Sequence, residues 1–237
     1  MRLDKYICDM TDYTRSTVKT ILKDKRVRVN GTIVKDSGYK LKENDTVTID
    51  DEEIKYAEYE YYLLNKPSGY LSANDDKRYP CIVDLINSKR KDLFPVGRLD
   101  LDTLGAIIIT NDGILAHKLI SPKYHVNKKY YVKTKEAMKE NTAEIFSKPM
   151  NLGDFITEPC IFEKISDNEA YLTIHEGKFH QVKRMFQYAG SEVETLIRTD
   201  FAFLNLNGLD TGEYRHLTEE EITKLKKLTD EKKIKME

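Results

Sequence analysis

Between Phe94 and Gly105 the chain places one guanidinium and two carboxylates, Arg98, Asp100 and Asp102, on a short loop that runs into the apolar stretch Ala106-Ile107-Ile108-Ile109. A carboxylate can act as a general base or as a nucleophile, and a nearby cation keeps it ionised by lowering its pKa. Loops of this kind, fixed on a scaffold and carrying charge, tend to bear function. A solvated turn is the bland reading of the same residues. A carboxylate pair acting as a hydrolase is disfavoured, because residues two apart on an extended loop point in different directions.

The elements around this loop are readable. The apolar run is short, β-branched and closed by Asn111-Asp112-Gly113, which predicts a buried strand ending in a turn. Pro95 tethers the loop, and Gly97 and Gly105 give its backbone freedom. Further along, Lys128-Lys129-Tyr130-Tyr131-Val132 opens a strand whose adjacent tyrosines must face opposite sides. From Glu176 to Phe186 a glycine turn passes into a helix with Val182, Met185, Phe186 and Ala189 inward and Gly190 as its C-cap. Lys178, Lys183 and Arg184 crowd the start of that helix, where the macrodipole disfavours cations, so a partner anion is expected there. Arg198 ends the strand that starts at Val193. The five histidines lack metal-ligand spacing; His180 and Gln181 read as shaping a cleft rather than moving protons.

Other segments complete the outline. Leu3, Tyr6, Ile7 and Met10 predict a short first helix, and Thr14 caps a second with Val18, Ile21 and Leu22 inward. Arg26 to Val34 alternates around Asn30-Gly31, a hairpin signal, and Val47 and Ile49 supply a further strand. Asp50-Asp51-Glu52-Glu53 reads as a solvated acidic linker. Beyond it, Glu60–Asn65 is a strand stopped by the turn Lys66-Pro67-Ser68-Gly69. Short helices are expected at 81–87, 113–120 and 137–149, and strands at 160–165 and 170–175. The last helix carries a capping box, Thr218 with Glu221, and a staple, Leu217 with Ile222.

The totals bound the classes. A chain of 237 residues with 40% hydrophobic and 33% charged residues holds one large or two modest domains. It shows no membrane-length apolar run and no signal-peptide core at its start. Cys8, Cys81 and Cys160 are odd in number, far apart and form no CxxC, which fits a reducing cytoplasm and excludes disulfide frameworks and zinc sites. Net charge is −1, yet the first 42 residues carry eleven Lys/Arg against five Asp/Glu, so a basic module precedes a mildly acidic body. Walker and Rossmann glycine loops, Gly-x-Ser-x-Gly and HExxH are missing.

Two resemblances follow. Arg2-Leu3-Asp4-Lys5-Tyr6-Ile7, Ser16 through Leu22, and Arg26-Val27-Arg28-Val29-Asn30-Gly31 resemble the S-four-type RNA-binding domain. This implies that Arg15, Lys19, Lys25, Arg26 and Arg28 meet RNA phosphates, where counterion release supplies affinity. Four later segments, Leu64–Gly69, Gly97–Gly105, Lys128–Tyr130 and Glu176–Met185, resemble the RNA pseudouridine synthases of the small-subunit ribosomal (RsuA-like) type, which carry such a domain in front. The division expected is an RNA-binding domain with its acidic linker over 1–57 and a catalytic domain over 58–237.

The second resemblance implies an α+β fold: a small helix-helix-hairpin domain, then a mainly antiparallel mixed sheet with flanking helices. It also implies a reaction. A uridine's glycosidic bond in RNA is broken, the uracil rotates, and it is rejoined through carbon 5, without cofactor or metal. Asp100 matches the catalytic aspartate, Lys183 the basic residue paired with it, and Tyr130 the tyrosine stacking on the uracil. Arg98 matches the side chain that fills the gap left by the flipped base, and Lys178, Arg184 and Arg198 are expected to contact RNA near the site. Asp102 is expected to brace the loop. The expected partner is ribosomal RNA, 16S before 23S, within an assembly intermediate, bound by a monomer; a non-catalytic assembly factor is the alternative. The chain departs from its relatives at Leu104, where a small polar residue is usual. It departs again at Thr199-Asp200-Phe201-Ala202, where they usually show a glycine two or three positions after the arginine.

Overall fold

A computed structural model describes residues 1–54 and 56–234, with side chains through residue 230. Two compact units are present: Met1–Tyr59 with Asn87–Asp92, and Glu60–Ile86 with the residues from Leu93 onward.

In the first unit, the helical spacing of Leu3, Tyr6 and Ile7 buries one side of α1 (Leu3–Met10). Thr14 caps α2 (Arg15–Lys23) by accepting from the Thr17 amide at 3.2 Å, and Val18, Ile21 and Leu22 form its buried side. Asn30 and Gly31, both at positive φ, turn β1 (Val27–Val29) into β2 (Thr32–Ile33). β3 (Val47–Ile49) pairs with the other edge of β1, and β4 (Glu52–Ile54) pairs with β3, giving the antiparallel order β2-β1-β3-β4. The helices close over this sheet through Leu3, Ile7, Val18, Leu22, Val27 and Val47.

The acidic stretch is therefore not a linker. Ile49 pairs with Glu52, which leaves Asp50 and Asp51 as a two-residue hairpin turn with φ of 51° and 67°. Aspartate tolerates the left-handed region better than most residues, which suits it to this turn. The unit also gathers Glu58, Tyr59 and residues 87–92, which a division at 57/58 places elsewhere. Arg90 explains the second addition. It is buried, donates Nη1 to the Ala57 carbonyl at 2.8 Å and forks onto Asp92.

The second unit is built on one large sheet. Its strands are β5 (Tyr61–Lys66), β6 (Phe94–Pro95), β7 (Leu104–Thr110), β8 (Lys128–Thr134), β9 (Ile161–Lys164), β10 (Glu169–Ile174), β11 (Val193–Phe201), β12 (Leu204–Asn205) and β13 (Tyr214–His216). The main path is β13-β5-β7-β11-β8-β10-β9, with β6 on β7 and β12 on β11. Among the described strands only β7 and β11 pair in parallel. β5 and β7 are buried on both faces, so their alternate residues feed two cores. Tyr62, Leu64, Ile107 and Ile109 pack with Phe146 of α4 (Thr142–Phe146) and with Val182, Met185 and Phe186 of α5 (Gln181–Tyr188). Tyr61, Leu63, Ala106 and Ile108 pack with Leu115 and Leu119 of α3 (Gly113–Ile120) and with Ile222 and Leu225 of α6 (Glu219–Ile234).

Gly105 makes the parallel pairing possible. Its φ is +108°, and a Cβ there would lie 2.2 Å from the Arg198 carbonyl oxygen. The close approach seats the loop before β7 beside β11 and β8, where Arg198 pairs with both Gly105 and Tyr130.

Several element boundaries differ from expectation. The helix at 81–87 is a single 3₁₀ turn, Ile82–Leu85, and the helix at 137–149 shrinks to α4. β11 continues past Arg198 to Phe201 and turns at Ala202, whose φ is 58°. α5 ends as expected: the Gly190 amide bonds to the Gln187 carbonyl and that of Ser191 to Phe186, at 3.0 and 2.9 Å. Thr218 and Glu221 form the reciprocal box at the start of α6.

Candidate active site

The carboxylate loop is held from below by the segment after β5. Ser72 Oγ accepts from the Leu99 amide and donates to the Leu99 carbonyl, both at 3.0 Å, and the Gly69 amide donates to the Leu101 carbonyl at 2.9 Å. Lys66 is fully buried under the loop, with Nζ donating to the carbonyls of Pro67, Leu101 and Thr103 at 3.0, 3.2 and 2.9 Å. Burial pushes its ammonium down to about 8, against the upward pull of Asp102 and Asp100. From sequence alone Lys66 is expected only as part of a turn. The available signal was a lysine closing an apolar strand just before proline.

The other wall is the turn into α5. Glu176 is buried, accepting from the Glu158 amide at 2.7 Å and from Gln181 Nε2 at 3.0 Å, while Gln181 Oε1 accepts from the Lys178 amide at 3.0 Å. His180, at φ 49°, opens the helix. These contacts aim the first turn of α5 at the loop. Lys183 Nζ stands 3.3 Å from Asp100 Oδ2 and 2.6 Å from Asp102 Oδ1, and His180 Nε2 is 3.5 Å from Asp100 Oδ1. Burial would lower the Lys183 pKa, but its hydrogen bond to Asp102 and the charges of both aspartates leave it raised. The hydrogen bond from Lys183 in turn holds Asp102 below the usual carboxylate range. The expected cluster of cations thus finds carboxylates: Lys183 takes these two, and Arg184 takes Asp154 and the Leu152 carbonyl. The two aspartates, not expected to act as a carboxylate pair, meet the same ammonium.

Tyr130 supplies the floor. β8 alternates, so Tyr130 is turned inward at 6% exposure, while Tyr131 faces the other way and donates to Glu169. A cleft of about 50 Å³ is lined by Arg98, Asp100, Tyr130, Lys178 and His180, among others. Arg98 and Lys178 are exposed and make no ion pair among the described residues.

Two expected RNA contacts are placed differently. Arg198 is 2% exposed, donates Nε to the Ala106 carbonyl at 2.6 Å and stacks over the Phe201 ring, so it supports the sheet instead of facing RNA. Arg184 has its charge taken up by Asp154. In the first unit Arg15, Lys19 and Lys25 are exposed with no carboxylate at ion-pair distance among the described residues, whereas Arg26 forks onto Asp50 and Arg28 reaches Asp51 at 3.4 Å.

Comparison with known proteins agrees with this geometry. Residues 60–188 match the RNA pseudouridylate synthase family and residues 1–47 match the S4 domain. The chain is 37% identical to ribosomal small subunit pseudouridine synthase A of Escherichia coli (strain K12), covering 94% of this chain and 98% of that one. It is 36% identical to ribosomal large subunit pseudouridine synthase B of Bacillus subtilis (strain 168), covering 97% of each. A solved structure described as a pseudouridylate synthase superposes with a TM-score of 0.67 at 36% identity, covering 95% of this chain and 99% of that one. With matching motifs, fold and near full-length relatives, the chain belongs to the RNA pseudouridylate synthase family and carries an S4 domain at its N-terminal end.

Proposed function

We propose that this protein converts one uridine of ribosomal RNA to pseudouridine, and that the uridine lies in 16S rRNA. The observation that carries the reading is the placement of Asp100 against Lys183 in a cleft that Tyr130 also lines. Asp100 acts at the ribose while the bond from carbon 1′ to uracil nitrogen 1 breaks. The uracil turns in place, carbon 1′ bonds to carbon 5, the proton displaced from carbon 5 leaves to solvent and nitrogen 1 takes up a proton, so the product is an isomer. Lys183 faces Asp100 as its counter-charge, and Tyr130 offers a ring on which the uracil packs at little entropic cost.

The target must leave its stack to reach Asp100. Arg98, exposed and without an ion pair, fills the space it vacates. The cleft has room for a water or two, so a uracil enters by displacing exposed side chains such as Arg98 and His180. Arg15, Lys19 and Lys25 hold RNA phosphates. We place the reaction in the cytoplasm, on a ribosomal assembly intermediate, by a monomer. No helix among the described residues is long and apolar enough to cross a membrane.

Tritium release from rRNA labelled at uridine carbon 5, naked and in assembly intermediates, tests the reading. Wild type is expected to release one equivalent and Asp100→Asn none. No release by wild type from any of these would overturn it. Mapping pseudouridine in both rRNAs of a deletion strain then checks the 16S assignment, and a loss in 23S rRNA would move the target to the large subunit.

A further inference from the structure

We propose that Phe179 is a stacking platform for the nucleobase adjacent to the isomerised uridine. This rests on the RNA-isomerase reading above and names a contact that reading does not use. Phe179 is 74% exposed, an aromatic side chain left in water at the rim of the catalytic cleft. Its ring lies on the imidazole of His180, with centroids 3.8 Å apart and planes 18° apart. His180 in turn stands 3.5 Å from Asp100.

The turn that presents the ring is braced. The Phe179 carbonyl accepts from Arg184 Nη1 at 3.4 Å, the Lys178 amide is held by Gln181, and His180 is set in a left-handed conformation at the helix start. One face of Phe179 is covered by His180 and the other is left for a partner. The chemistry around it favours a nucleic acid over an apolar protein surface, because exposed Lys178 and Arg98 line the same cleft and neither makes an ion pair among the described residues. A flipped uridine leaves its neighbours without a stacking partner, and an aromatic face next to the reacting residue replaces that partner. Stacking of this kind is sequence-tolerant and is worth about 1–3 kcal/mol per base, or roughly 5- to 150-fold in affinity.

The test uses the full chain with Phe179→Ala, Phe179→Leu and Phe179→Tyr, and an RNA fragment spanning the mapped uridine. 2-Aminopurine replaces the neighbouring base on each side in turn. Phe179→Ala and Phe179→Leu should raise KM by about 5- to 150-fold, and should lose the binding-induced change in 2-aminopurine emission at one of the two positions. Phe179→Tyr should restore both. Melting curves of all three should overlay that of wild type, since the side chain is exposed. Wild-type behaviour of Phe179→Leu, or an unchanged emission response in Phe179→Ala, overturns the inference while tritium release by wild type stands. Absence of release by wild type strikes the functional reading, and this inference with it.

Discussion

Lys183 makes its shorter ion pair with Asp102, at 2.6 Å, and its longer one with Asp100, at 3.3 Å. Asp102 is also the more exposed of the two, at 71% against 26% for the side chain. The arrangement divides the labour. On the proposed reading, Asp102 holds the ammonium at the loop, and Asp100, which lines the cleft, meets the ribose. Asp100→Asn is therefore expected to lower kcat by about 10²–10⁴-fold or more, Lys183→Met by about 10²-fold, and Asp102→Asn by less than about tenfold. Single-turnover tritium release gives the ranking. A loss in Asp102→Asn as deep as that in Asp100→Asn would mean that both carboxylates take part in the chemistry.

Lys66 predicts an unusual pH dependence. Its folded pKa is depressed to about 8 from 10.5, so between those values the unfolded chain binds more protons than the folded one. Stability contributed by this group must then rise as pH goes from about 8 to 10.5, and stay flat below 8, where both states are protonated. Urea midpoints of wild type and Lys66→Met across that range should show the gap shifting in favour of wild type as pH increases. At pH 7 the variant is expected to be less stable by about 2–3 kcal/mol, since the Pro67 and Thr103 carbonyls lose their donor and the Leu101 carbonyl keeps only the Gly69 amide. A pH-independent gap would show that the ammonium is more hydrated than its burial implies.

Much of the site was legible because its motifs are local. Glycine, proline and a charged triplet mark the Asp100 loop, and alternation sends one of Tyr130 and Tyr131 inward, with the family resemblance singling out Tyr130. A stripe of apolar residues sets the face of α5, and Lys183 lies one residue beyond Val182 on it. What stayed hidden depends on pairings distant in sequence. Asp50 and Asp51 look like solvated linker charges until β4 is seen to return along β3. Residues 87–92 join the first unit because the buried Arg90 needs the Ala57 carbonyl, some thirty residues away in the chain. Gly105 reads as a flexible loop end, but its missing Cβ is what admits the Arg198 backbone.

The departure after Arg198 has an energetic reading. Ala202 takes a left-handed φ of 58° in the turn between β11 and β12, a conformation that costs a non-glycine L-residue about 1–2 kcal/mol. Its amide is nevertheless held by the Asn127 carbonyl at 2.8 Å, so the turn keeps its shape. Ala202→Gly removes the strain and adds some unfolded-state entropy, for a net gain of about 0.5–1 kcal/mol. A rise of roughly 1–4 °C in melting temperature is expected. A fall would show that the turn relaxes around alanine at no cost.

Arg198 should behave as a structural residue. Arg198→Met removes the hydrogen bond to the Ala106 carbonyl and the stacked cation over Phe201 while keeping an unbranched apolar side chain of moderate length. A loss of about 2 kcal/mol is expected, or roughly 4–8 °C in melting temperature. The slope of RNA affinity against salt should not change. A flattened slope would return Arg198 to the RNA-contacting set.

The basic residues of the first unit should not contribute equally. Each phosphate neutralised contributes about 0.7 (single strand) to 0.9 (duplex) to the slope of log affinity against log salt. Arg15 and Lys19 present exposed charges with no carboxylate at ion-pair distance among the described residues, so Arg15→Gln with Lys19→Gln should flatten the slope by about 1.4–1.8. Arg26 already forks onto Asp50, and RNA must compete with that carboxylate. Arg26→Gln should therefore change the slope by less than about 0.7, and Asp50→Asn, which releases the guanidinium, should steepen it. Filter binding of rRNA fragments over a salt series measures all three. If Arg26→Gln flattens the slope as much as Arg15→Gln does, Asp50 yields to phosphate without resistance, and the hairpin's acidic turn has no part in setting affinity.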